Sequence, residues 1–566
     1  MNRKEEVDLG LFNHLCFGKT ALSKNECVKS RSKREGSRLR ARARSRKSYA
    51  MAAAYFIAWR FINNLKTRSS RRGMFCGAIL LLVSMALLGA SQVAVANDSS
   101  SALREMASKV KTYTLSNGLK VIFYQRGDAP IFSGAVVVKV GGSDESIGQT
   151  GISHLFEHMA FKGSRTVGTK DYSAERRLLN RLEEIAAESK SAQELSPEQK
   201  REWDDIHKQL REIWISDDFT VRYEKHGAVG QNATTDKEFT KYFVSMPRSA
   251  FEFWCQMESD RLIAPVMRQF YQERDVVLEE RRMRYEDDPG GKLYELLLGT
   301  AYQRHPYRAP VIGYERDLLS ITATELEAFR KRFYVPSNMV LALVGQVDPE
   351  ADIKVIERYF GVLPVGDSVK RSILSEGKQE GQRRSEISMA ASPEVIIAYR
   401  KPNYPDPDDA PISVMAEILS GGRTSPLYSE LVKRKQIAAS VGHEEGPGVL
   451  YPNLLMFAGS VKAPHSPDTF INSFDSVVKR FRRQGATKEQ LEIAKRSIGM
   501  EYLSHLKSNQ SLAIDFATAQ LAYGDWRAGV EWYDQVLKVT TDDIKRVAQQ
   551  YLVSTQRTIG VIERSK

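Results

Sequence analysis

The segment His154-Leu155-Phe156-Glu157-His158 sets two imidazoles four positions apart with a carboxylate between them, and it constrains the fold more than any other feature of the chain. On a helix, residues i and i+4 lie one above the other, about 5–6 Å apart at Cβ, so both rings reach a single zinc ion. Glu157 falls at the edge of the same face, where it accepts a proton from a water polarised by the metal. The order His-x-x-Glu-His is the reverse of the commoner His-Glu-x-x-His. The competing reading is a surface helix that carries these residues without a metal.

The chain holds 83 Lys+Arg against 70 Asp+Glu, a net charge of +13 that suggests an anionic partner. The excess sits at one end. Residues 1–96 contain 19 Lys+Arg and 5 Asp+Glu, which leaves 64 against 65 for residues 97–566, a nearly neutral body. A nucleic-acid reading would rest on the tract from Arg31 to Lys47, which lacks interleaved aromatics, so no nucleic acid is expected as a partner. Arg71-Arg72-Gly73, an apolar run from Met74 to Ala90 and then Ala94-Val95-Ala96 read as a signal peptide cleaved after Ala96. Residues 1–96 are thus a basic leader and signal peptide, and the body is exported, with a bacterial periplasm the expected compartment. Membrane anchoring follows only if the apolar run, short for a span of about 20 residues, is retained. Residues 1–73 exceed an ordinary n-region, and Met51 and Met74 are alternative starts. Cys16, Cys27 and Cys76 fall in the leader and Cys255 alone remains, so the processed chain forms no internal disulfide and binds no zinc through cysteine clusters.

Two similar halves follow. Tyr334-Val335-Pro336-Ser337 precedes an apolar strand from Met339 to Gly345, and Tyr551-Leu552-Val553-Ser554 precedes another from Thr558 to Ile562, 217 residues further on. The first half opens with alternation from Thr112 to Tyr124 around Asn117-Gly118, a hairpin signal, and a strand at Ala135–Val140. The second half opens with a strand at Glu394–Tyr399, a Pro/Asp-rich loop and a helix from Ala410 to Leu419. Mixed strands and helices in each half predict an α+β fold, two homologous domains of antiparallel sheet packed with helices. The expected domains are 97–345 and 388–566 with a linker at 346–387. A charged helical hairpin is inserted at 174–215, with Ser196-Pro197-Glu198-Gln199 as an N-cap, Pro at N1 and a capping box.

A catalytic zinc needs a third protein ligand and an open position for water. A helix from about Gln269 to Glu286 offers Glu273, Glu279, Glu280 and Glu286. Glu273 and Glu280 are seven apart and differ by about 20° in azimuth, so one binds the metal while the other supports it. Spacing does not choose between them.

His154 to Gly163, with Glu273-Arg274-Asp275-Val276-Val277-Leu278-Glu279-Glu280, resembles the two motifs of the pitrilysin/insulinase family of zinc metallopeptidases, the inverzincins. The likeness spans roughly 104–566 and is closest to the two-domain, mitochondrial-processing-peptidase-like branch. It implies one zinc ion held by His154, His158 and Glu280, with Glu157 as general base and Glu273 as supporting acid. Gly230-Gln231-Asn232-Ala233 resembles the family's edge strand, so Asn232 and Ala233 are expected to bind an extended peptide. The family fold further implies two domains enclosing a chamber.

Two departures stand out. The gap from His158 to Glu280 is longer than usual in the family, and the helical insertion accounts for it. Family members often place an Arg and a Tyr in the C-terminal half, and here Lys433 stands near the Arg position and Ala439 at the Tyr position. In that branch a homologous metal-free subunit commonly supplies such a pair, so a heterodimer is expected, with a homodimer as the other arrangement. The sequence thus reads as a zinc endopeptidase of extended or unfolded peptides. The alternatives are a non-catalytic assembly subunit of the same fold, or a catalytic subunit active only with its partner. His443-Glu444-Glu445 reads as a loop, and His207, His226, His305, His465 and His505 as surface or capping residues. Arg423 and Tyr428 read as a helix cap or as chamber lining.

Overall fold

The computed structural model describes residues 105–106, 108–188 and 195–565. The leader and its cleavage site therefore lie outside the described residues. From Ala107 onward the chain forms one compact unit. Among the described residues, no helix is long and apolar enough to cross a membrane.

The first half is built on a six-stranded sheet. Its strands are β1 (Val110–Thr114), β2 (Lys120–Gln125), β3 (Ile131–Val138), β4 (Val229–Thr235), β5 (Thr240–Pro247) and β6 (Met339–Gly345). They lie in the order β1-β2-β6-β3-β5-β4. The Asn117-Gly118 turn joins β1 to β2, with Gly118 at φ +90°. The second half carries β7 (Arg383–Met389), β8 (Glu394–Lys401), β9 (Ala438–Gly446), β10 (Asn453–Val461) and β11 (Arg557–Arg564), ordered β7-β11-β8-β10-β9. Each sheet is antiparallel except for one pair, β2 with β6 and β7 with β11. With β1 set aside, the two orders match strand for strand and the parallel pair falls in the same place, so the second sheet repeats the topology of the first without its outer strand.

The helices that matter here are α1 (Ile152–Met159), α2 (Tyr172–Glu188), α3 (Pro197–Ile213), α4 (Phe251–Ile263), α5 (Phe270–Arg281) and α6 (Pro289–Ala301). They continue with α7 (Ala323–Phe333), α8 (Pro349–Phe360), α9 (Asp409–Ser420), α10 (Asn509–Tyr523) and α11 (Thr541–Tyr551). α1, α4 and α5 cover one face of the first sheet, where Leu155, Phe156, Met159 and Trp254 meet Phe132, Val136 and Val138. The opposite face is covered from the second half by α10, whose Phe516 meets Tyr124 edge-on. The exchange is mutual. Leu293, Leu297 and Leu298 of α6 pack on Ile396, Ala398 and Met456 of the second sheet. A sheet buried on both faces needs two covers, and each half takes one of them from the other.

Matching caps precede the matching closing strands. Thr322 and Glu325 form a capping box before α7 and β6, and Thr540 and Asp543 form one before α11 and β11. Residues 346–387, expected as a linker, contain α8 and the first part of β7. Residues 346–348 and 361–382 lack helix and strand, and β7 pairs with β11 as the edge of the second sheet. Its alternating burial passed unread as a strand because charged residues fill its solvent-side positions.

Candidate metal centre

α1 starts without a capping side chain, at Gly151 with φ +90°. A Cβ there would lie 2.5 Å from the Ile312 carbonyl, so only glycine fits. Glu145 takes the cap's place and accepts hydrogen bonds from Gly151 N at 2.8 Å and Ser153 N at 3.0 Å. Leu155, Phe156 and Met159 turn into the core. That leaves His154 and His158 on the other side, their ring centroids 4.8 Å apart.

α5 brings the acids to the same place. Glu280 Oε2 lies 3.8 Å from His154 Nε2 and 3.5 Å from His158 Nε2. Glu273 Oε2 lies 3.5 Å from His158 Nδ1, and Lys162 Nζ holds its Oε1 at 2.5 Å. The structure thus separates the two acids that spacing left equivalent. Glu280 faces both rings at one point, and Glu273 faces the far nitrogen of one ring. Glu279 pairs with Arg282 instead, and Glu286 with Arg281.

One ligand atom from each of His154, His158 and Glu280 can be chosen so that all lie within 4.8 Å of one another. Two imidazoles and a carboxylate suit zinc. Burial and the charge of His158 pull His154 down to about 4, which leaves a neutral ring with a lone pair to donate. Burial opposes ionisation of Glu280, but a hydrogen bond with His158 and the charges of His154 and Arg284 hold it down at about 2. Burial would also lower His158, yet Glu273 and Glu280 lift it to about 9, so a metal must displace a proton from this ring. The donor types and their positions fit the ion.

Glu157 is buried beside them, and burial pushes its carboxyl up to about 7 despite a hydrogen bond from Thr235. Thr235 Oγ1 donates to Glu157 Oε2 at 2.6 Å. Thr235 ends β4, the edge strand that also carries Asn232 and Ala233. Asn232 is exposed and Ala233 buried. A bulge between Val229 and Asn232 breaks the register with β5, and Gln510 of α10 donates to the Gly230 carbonyl at 2.9 Å. Thr235, Lys162, Arg284 and Glu145 escaped the sequence reading. Thr235 left a signal there, lying two residues beyond Ala233 and so on its side of the strand, and Arg284 left another, four residues after Glu280.

The corresponding place in the second half is empty of metal ligands. α9 follows β8 as α1 follows β3, and Ile412-Ser413-Val414-Met415-Ala416-Glu417-Ile418 repeats Ile152-Ser153-His154-Leu155-Phe156-Glu157-His158 with Val414 and Ile418 in place of the histidines. Both are buried hydrophobics there. Lys433 is exposed in a π-helical turn, Tyr428–Arg434, its ammonium 5.8 Å from the Tyr428 ring centroid. Ala439 is exposed on β9, the edge of the second sheet. Arg423 is exposed before that turn. His443 lies in β9, not in a loop, against the Ser420 hydroxyl at 2.8 Å. His305 caps Tyr307 N as expected, while both it and His207 are buried.

Comparison with known proteins agrees with this geometry. The profile described as "Insulinase (Peptidase family M16)" matches residues 121–198, and "Peptidase M16 inactive domain" matches 320–498. Both halves of the chain are thus similar to M16 peptidase domains. The chain is 24% identical over 457 residues to the zinc protease PqqE of Helicobacter pylori, covering 80% of the chain and 92% of that protein. It is 23% identical to a probable mitochondrial-processing peptidase subunit beta of Arabidopsis thaliana, over 81% of the chain and 78% of that protein. A crystal structure of a protease from Helicobacter pylori superposes with a TM-score of 0.68 at 22% identity, covering 80% of the chain and 99% of that one. The two-domain fold is shared.

Proposed function

We propose that the chain is a zinc-dependent endopeptidase that hydrolyses extended or unfolded peptides. The observation that carries this reading is the convergence of His154, His158 and Glu280 beside a buried Glu157. Three protein ligands leave a fourth position for water, and zinc, when bound there, supplies the Lewis acidity that brings the pKa of water toward neutrality. Glu157 takes the proton of the attacking water at the oxygen that Thr235 leaves free and passes it to the departing amine. Glu273, fixed by Lys162, holds the His158 ring in orientation. A peptide adds to the edge of β4 through main-chain hydrogen bonds beside Asn232 and Ala233, and Gln510 closes that edge at Gly230. The two halves enclose a chamber that selects by size and unfolded character.

Lys433 and Ala439 supply no phenol to polarise the scissile carbonyl. We therefore assign the missing donors to a homologous metal-free subunit, with a homodimer as the other arrangement. Export follows from the Ala94-Val95-Ala96 site. The test is hydrolysis of a quenched, unstructured peptide by the zinc-loaded protein alone, with bound zinc measured on the same sample. Glu157→Gln is expected to keep zinc and lose nearly all turnover; turnover retained in that variant rejects Glu157 as the base. Full activity of the isolated chain removes the need for a partner. Zinc without activity directs the search to the missing subunit, and a chain that takes up no zinc is an assembly subunit.

A further inference from the structure

Arg284 has no part in the reading above, yet it touches the metal centre. It lies four residues after Glu280 in the π-helical turn Arg282–Glu286, and its Nη2 stands 2.9 Å from Glu280 Oε1. The other oxygen of the same carboxylate, Oε2, faces His154 and His158. The two oxygens are thus divided between a guanidinium and the imidazoles. The turn that carries Arg284 is clamped from outside. Asp287 N donates to the Arg282 carbonyl at 2.9 Å, the i→i+5 spacing of a π turn. A Cβ on Gly291 would overlap the Arg284 carbonyl oxygen, so α6 presses directly on this backbone. The side chain of Arg284 is 65% exposed against 16% for Glu280, so its role does not lie in filling the core.

We propose that Arg284 is a positioning residue that occupies Oε1 of Glu280, so that this carboxylate ligates through Oε2 alone and the fourth coordination position stays open for water. The proposal rests on the metal reading above. A carboxylate can offer a metal one oxygen or two, and zinc accepts five ligands as well as four. The guanidinium paired with Oε1 at 2.9 Å blocks the second oxygen. Guanidinium does not deprotonate in proteins, so the block persists at any working pH. Removing Arg284 releases Oε1 toward the metal and takes a like charge from its neighbourhood. Both effects tighten metal binding. A residue that merely braces a ligand gives the opposite sign, since loss of such a partner typically weakens metal affinity by about 10–100-fold.

The experiment compares wild type with Arg284→Met and Arg284→Lys. Zinc affinity is measured by competition with a chromophoric chelator, and visible absorption of the cobalt(II)-substituted proteins reports coordination number. Arg284→Met is expected to bind zinc about tenfold more tightly, the scale of removing one unit charge near a divalent ion in a water-like dielectric. Its cobalt absorption is expected to weaken as coordination number rises, while Arg284→Lys stays close to wild type. An unchanged cobalt spectrum in Arg284→Met, or zinc affinity that is unchanged or falls, overturns the proposal. Wild-type protein that takes up neither metal overturns the metal reading itself, and this proposal with it.

Discussion

Glu145 shows how much of the centre depends on a single side chain outside it. It lies half-buried beneath the start of α1 and accepts from two of the helix's first backbone N–H groups. Burial pushes its carboxyl up to about 8, although those hydrogen bonds favour the charged form. A folded-state pKa above the unfolded value near 4.5 means that the folded protein binds this proton more tightly. The resulting stability is fully present below about pH 4.5 and is lost as pH rises toward 8. Glu145→Gln keeps an acceptor and cannot ionise. Urea midpoints are therefore expected to show wild type losing ground to Glu145→Gln steadily between those values, with no further change above; a difference independent of pH would remove this role. His154, Glu157 and His158 were legible because all three lie within one turn and a half of helix. Glu145 and Thr235 were not, since each reaches its partner by a backbone path that no helical spacing encodes, and Arg284, four residues after Glu280, is an ordinary i, i+4 pair until the metal centre is assembled.

Among the elements, the inserted hairpin of α2 and α3 was legible from its caps. Ser196 accepts from Gln199 N, and the Gln199 side chain returns the bond to Ser196 N at 3.0 Å. Leu182, Ile185, Trp203, Ile206 and Leu210 give it a small core of its own. What fastens it to the first half was not legible, because the two partners are 93 positions apart. Arg268, 2% exposed, binds both carboxylate oxygens of Glu175, at 2.6 and 2.8 Å, and the carbonyls of Ser164 and Val167 at 3.0 and 2.9 Å. Trp214 Nε1 adds a bond to Glu175 at 2.8 Å. Arg268→Met leaves a buried carboxylate unpaired, at an expected loss of about 3–5 kcal/mol. Denaturant unfolding checks it, and a loss below about 1 kcal/mol would mean that the pair is not what holds the hairpin.

At the scale of the molecule, the halves are joined by exchanged helices and by close contacts between loops, of which one is tightly packed. The loop after β9 reaches the turn between β4 and β5, where Val449 N donates to Glu238 at 3.2 Å and Tyr451 N to the Tyr307 hydroxyl at 3.2 Å. Tyr307 itself donates to Glu238. Gly448 lies against both side chains, and a Cβ on it would overlap the Tyr307 hydroxyl and the Glu238 carboxylate. Gly448→Ala is expected to destabilise by about 1–3 kcal/mol through overpacking and to raise amide hydrogen exchange at 448–451. Exchange equal to wild type would show that the junction absorbs the methyl group. The duplication behind this arrangement was visible at the closing strands, where a capped helix, a Tyr and an apolar run recur. It was hidden at β7, whose alternation carries charge on one side.

The sequence by itself determined the helix that bears the imidazoles, the acid-rich helix that answers it, the two-fold repetition and the near-neutral body, because each is a matter of local periodicity and composition. Only the tertiary structure decided that Glu280 and not Glu273 faces both rings, that Thr235 holds the Glu157 carboxylate, and that each sheet takes a cover from the other half. Those choices depend on distances between segments tens to hundreds of residues apart, which the packing of two buried sheet faces sets and no local pattern contains.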